Sequence, residues 1–102
     1  MRPPLAFALA SLLLVGCSLG RPAGDATGEE IYAQLCARCH GADLSGGVGP
    51  PLDSGSNAAG ETDEYLEFTI LNGRGRMPSF SNSLDDAQLD RLVDYIREVQ
   101  TQ

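Results

Sequence analysis

Cys36-Ala37-Arg38-Cys39-His40 is a Cys-x-x-Cys-His run, the spacing that serves covalent attachment of a c-type haem. On a helical turn, residues three and four apart share a face, with Cβ atoms roughly 5–6 Å apart. Cys36 and Cys39 can therefore each meet one vinyl group of a single porphyrin, and His40 then lies under the iron. Three blander readings compete. A structural zinc site normally takes four Cys or His ligands, but outside the run the chain offers only Cys17 and no second His. A dithiol redox motif is expected near a βαβ pattern, and no alternating, β-branched strand run appears. A chance match is the third, against which the residues that follow speak.

Two further stretches fit a haem. Met77-Pro78 follows the Gly-rich Gly73-Arg74-Gly75-Arg76, and a proline pushes the residue before it into extended geometry. Met77 thus sits on a loop that can return to the opposite iron face and donate its thioether sulfur. Met/His ligation raises the reduction potential relative to other axial pairs. The competing role for Met77 is that of a core filler. In Gly49-Pro50-Pro51-Leu52, the carbonyl of Pro50 can accept from His40 Nδ1 and leave Nε2 for iron, since a metal-bound histidine usually gives away its other N–H. Taken alone, that run signals only a turn.

The chain opens with Met1-Arg2-Pro3-Pro4 and a stretch from Leu5 to Val15 that is apolar but for Ser11, which reads as a secretory signal. A transmembrane span needs about 20 apolar residues, so the stretch is too short for one. Leu14-Val15-Gly16-Cys17 resembles the bacterial lipoprotein signal, which implies a lipid on Cys17; an ordinary signal with a stray thiol is the other reading. Several acyl chains, at about 0.8 kcal/mol per buried CH₂, hold a protein far more firmly than one. The expected organisation is a signal peptide at 1–16, a lipidated linker at 17–26 and one folded domain at 27–102. Ser18 to Ala26 has the composition of a tether. A domain this small usually needs a staple, which a covalent haem would supply.

Fourteen acidic residues face seven basic ones, for a net charge of −7, and every basic residue is Arg. Nucleic acid is disfavoured as a partner, because affinity there rests on cations meeting phosphates. If docking to a redox partner is electrostatic, the partner's face is basic and association slows as salt rises. Acidity that merely keeps an exported protein soluble explains the same charge.

The pattern predicts helices and no strands. Thr27-x-x-Glu30 is a capping box, and the first helix should run from about Gly28 to about Arg38. Residues 41–57 read as loop. Thr62 caps a second helix from about Asp63 to Leu71, stopped at Asn72-Gly73. Asp85 with Gln88 opens the last helix, Leu84 and Leu89 can form a staple, and Leu89, Leu92, Val93 and Ile96 make its core-facing stripe.

The residues quoted above, with Leu92-Val93-Asp94-Tyr95-Ile96 on the closing helix, resemble a class I cytochrome c of the small bacterial kind over nearly all of Gly28 to Gln100. The resemblance implies an all-α cytochrome c fold, three main helices around one covalent haem c with long Gly/Pro-rich loops. It also implies that Gly28 and Tyr32 face Leu92 and Tyr95, and that the protein carries single electrons between redox partners without being an enzyme. The lysine ring used for docking by some mitochondrial members is absent. Its lipoprotein start is similar to that of membrane-anchored bacterial members, on the extracytoplasmic side. Arg74 and Arg76 can pair with haem propionates or simply be solvated, and Tyr65 and Asn72 can bond nearby or serve packing and capping. A dedicated subunit of one oxidase or dehydrogenase complex is the alternative function. A peroxidase would need an open iron position, and a gas sensor a sixth ligand that leaves.

Overall fold

A computed structural model describes residues 20–102; the segment expected to be a signal peptide, 1–16, and Cys17 lie outside them. Four helices follow in order: α1 (Gly28–Leu35), α2 (Ala37–His40), α3 (Asp63–Asn72) and α4 (Asp86–Gln100), with a 3₁₀ turn at Asn57–Gly60. The described residues hold no strand, only one isolated bridge between Arg74 and Met77. The all-α expectation stands.

Helix starts follow local chemistry. Thr27 and Asp85 each accept from the amide three residues on, and Glu30 and Gln88 reach back to the cap amide, so both capping boxes are closed. Thr62 accepts from Tyr65 N to open α3. Gly73 ends that helix at φ +74, and a Cβ there would lie 2.5 Å from the Met77 carbonyl oxygen. Only glycine accommodates both conditions.

The first helix is shorter than its pattern predicts. At Cys36 the backbone swings to φ −117, ψ −36 and breaks the run into α1 and α2. Cys39 N then bonds Cys36 O at 3.2 Å, a three-residue step, beside His40 N to the same carbonyl at 3.0 Å. The helical path resumes and continues two residues beyond Arg38, to His40. The loop expected to reach Asn57 yields instead to the 3₁₀ turn that begins there, capped by Ser56.

An eight-residue helix is marginal alone, so α1 depends on packing. Ile31, Tyr32 and Leu92 are essentially inaccessible, and with Leu66, Ile70, Leu84, Leu89, Val93 and Ile96 they form the core. α1 meets α4 at Gly28, where an added Cβ would collide with the Arg91 carbonyl oxygen and lie 2.8 Å from Tyr95 Cβ. One turn on, the Tyr32 and Tyr95 rings stand 5.6 Å apart at 53°, a separation and tilt typical of attractive aromatic pairs.

Composition alone suggests a free tether up to Ala26, but Pro22 and Ala26 are buried. Gln88 and Arg91 of α4 bond the carbonyls of Pro22, Ala23, Gly24 and Ala26. The packed body therefore begins before Thr27.

Candidate functional site

The pentapeptide is held by a set of bonds to the carbonyls of three consecutive residues. Gly49 N donates to Cys39 O at 2.7 Å, Gly46 N to His40 O at 2.8 Å, and the Tyr32 hydroxyl to Gly41 O at 2.7 Å. Gly41 at φ +87 and Gly46 at φ +98 let the chain double back beneath the histidine. Leu44, fully buried at φ +65, completes the turn and receives Leu52 N on its carbonyl at 2.8 Å. Leu52 itself is half-buried against the core.

His40 is buried, and its Nδ1 lies 2.7 Å from the carbonyl oxygen of Pro50. A carbonyl can only accept, so Nδ1 carries the proton, and in the neutral ring Nε2 presents the lone pair. This is the tautomer suited to a metal. A Cβ on Gly49 would stand 3.0 Å from His40 Cε1 and 3.1 Å from Nδ1, so the glycine leaves room for the ring.

Both thiols are free; Cys36 is buried and Cys39 exposed. Burial, with the nearby Cys39 charge adding to it, pushes the Cys36 thiol up to about 12. A reactive thiol nucleophile depends on a lowered pKa, and burial moves Cys36 the other way.

Met77 lies half-buried against the core, at the base of a tight turn in which Arg74 N bonds Met77 O at 3.1 Å and Met77 N bonds Arg74 O at 2.9 Å. Phe80 N to Ile70 O at 3.0 Å and the Ser79 hydroxyl to the Leu71 carbonyl staple the following segment to the end of α3. Arg74 donates to the Tyr65 hydroxyl at 2.5 Å, and Asn72 Nδ2 to Phe68 O at 2.8 Å, an internal bond of α3. Two thiols one turn apart and an imidazole whose Nδ1 meets a carbonyl are groups that suit a covalent haem, and Met77 carries a thioether on a separate loop. Sequence patterns picked out Pro50 and Met77. They gave no sign of Tyr32, Gly41 or Gly46 as supports, because a bond from a hydroxyl to a carbonyl nine residues away has no local signature.

Residues 23–96 match the family model described as cytochrome C oxidase, cbb3-type, subunit III. The chain is 36% identical over 99 residues to cytochrome c55X of Stutzerimonas stutzeri, covering 92% of this chain and 87% of that protein. It is 41% identical over 91 residues to the dihydro-heme d1 dehydrogenase of Pseudomonas aeruginosa, covering 81% of this chain but only 18% of that enzyme. Among solved structures, the c-type cytochrome NirC superposes with a TM-score of 0.61 at 34% identity, over 70% of this chain and 85% of its own.

Proposed function

The chain belongs to the cytochrome c family matched by the cbb3-type subunit III model, whose members bind covalent haem c, and on that premise we propose a lipid-tethered monohaem carrier of single electrons. In this reading Cys36 and Cys39 form thioethers to the vinyl groups. His40 Nε2 and the Met77 sulfur take the two axial positions, and Pro50 holds the imidazole in its ligating tautomer. The haem supplies the one-electron couple. The surrounding residues exclude water and keep both ligands in place whichever oxidation state is present. A lipid on Cys17 holds the domain at the cell membrane on the periplasmic or extracytoplasmic side, where it meets redox proteins, with a basic face on the partner if charge guides docking.

The single observation that carries this reading is the 2.7 Å contact between His40 Nδ1 and Pro50 O, on the histidine that follows Cys39 and lies four residues after Cys36. It leaves a bare imidazole nitrogen where a haem iron would need one. A reduced-minus-oxidised spectrum with a pyridine haemochrome assay tests it. Retained pigment in acidified acetone and a low-spin six-coordinate spectrum are expected; extractable pigment or a colourless preparation overturns it.

A second reading makes the chain a fixed subunit of an oxidase or dehydrogenase. It draws support from the family description and from a relative in which the matching stretch is less than a fifth of an enzyme. Co-purification with one partner at constant stoichiometry would favour it over a free carrier.

A further inference from the structure

The segment before α1 has the composition of a loose tether, yet it is strapped to the body. Gln88 Nε2 donates to Pro22 O at 3.3 Å and Ala23 O at 3.1 Å. Arg91 donates from Nη2 to Gly24 O and from Nε to Ala26 O, both at 2.9 Å. Ala26 N closes the segment on Ala23 O at 3.0 Å. Gln88 is 5% exposed, and its Oε1 also receives Asp85 N at 2.8 Å. One buried amide thus serves both the cap of α4 and the strap. Because a buried amide without partners is costly, the strap and the helix start stabilise each other.

We propose that this strap fixes which end of the domain faces the membrane: the end that carries the start of α4 and the loop at residues 81–85. The inference rests on Cys17 bearing the lipid, as read above. Five residue steps separate Cys17 from Pro22, and at ~3.3–3.6 Å per residue they reach at most ~18 Å. Were the chain loose as far as Thr27, ten steps would reach about twice as far and let the domain tumble. Along α4, Asp86 and Gln100 are ~21 Å apart at 1.5 Å per residue. The Asp86 end is therefore confined close to the lipid head groups, whereas the Gln100 end is free to stand up to a helix length farther away. A groove of about 400 Å³ between strap and loop is lined by Arg21, Pro22, Ser83, Asp85 and Gln88 among others.

The test uses the full-length lipidated holoprotein on phosphatidylcholine vesicles containing a nitroxide-headgroup lipid. A fluorophore is placed at Asn82→Cys or at Gln102→Cys, both exposed sites. Quenching several-fold stronger at position 82 than at position 102 is expected. Inserting eight Gly/Ser residues after Ser18 leaves the strap intact and should abolish the difference, as should Gln88→Ala with Arg91→Ala if that variant retains its haem spectrum. Equal quenching at the two positions, with the protein still floating with the vesicles, overturns the orientation while leaving the anchor. Failure of the intact protein to float, with an unmodified Cys17 by mass, overturns the anchor and the orientation with it.

Discussion

The Tyr32 hydroxyl donates to the Gly41 carbonyl oxygen at 2.7 Å, tying the first helix to the residue that follows the histidine. Tyr32 also packs on Tyr95, so one side chain joins α1, α4 and the turn that supports His40.

Replacing it in Tyr32→Phe keeps the ring and removes the bond. A loss of about 1 kcal/mol is expected by denaturant titration of the holoprotein. The effect should grow at neutral pH relative to high pH. Burial first, then the charges of Tyr95 and Asp43, raise the Tyr32 pKa well above its usual value. The folded state holds the phenolic proton while the unfolded chain releases it near ~10. The phenol's contribution is thus whole below about pH 10 and declines as pH rises past it, and Tyr32→Phe should flatten that alkaline decline.

Gly28→Ala places a methyl group against the Arg91 carbonyl and Tyr95 Cβ. Because backbone blocks one side, α1 must shift away from α4. A loss of about 1–3 kcal/mol is expected, read as a lowered denaturant midpoint with the slope unchanged.

At Gly49 a methyl group would press on the His40 ring at 3.0–3.1 Å. Gly49→Ala should lengthen the bond from Nδ1 to Pro50, weaken the imidazole as a donor and shift the reduction potential. Redox titration together with NMR of the His40 Nδ1 proton checks this, and an unmoved proton resonance would contradict it.

Loss of the thioether in Met77→Ala should lower the potential and let the reduced protein bind carbon monoxide rapidly. Visible spectra before and after addition of the gas report both. An unchanged potential would mean that Met77 is core filling.

Arg97 bonds Asp63 Oδ1 at 2.7 Å, Gln100 Oε1 at 2.8 Å, Ala58 O at 3.3 Å and the Glu61 carbonyl. Lysine cannot reproduce that fork, so Arg97→Lys should cost about 1–2 kcal/mol. The ion pair is partly exposed, with Asp63 58% accessible. Asp63→Asn should therefore cost less than about 1 kcal/mol, and thermal unfolding of the two variants separates the contributions.

Read from residues alone, the caps at Thr27, Thr62 and Asp85 and the stripe of α4 were legible, because each depends on neighbours within four positions along the chain. The Cys-x-x-Cys-His motif was legible for the same reason: Cys36, Cys39 and His40 lie within five positions of chain, and Pro78 directly follows Met77. The break at Cys36, the left-handed Leu44 and the carbonyl contacts at residues 39–41 were decided by the tertiary structure, since they arise where the chain turns back on itself and must satisfy buried polar groups. The same holds for the strap: nothing local distinguishes Pro22 to Ala26 from a free linker. Their carbonyls acquire partners only when folding brings Gln88 and Arg91 to them across 65 to 67 residues of chain.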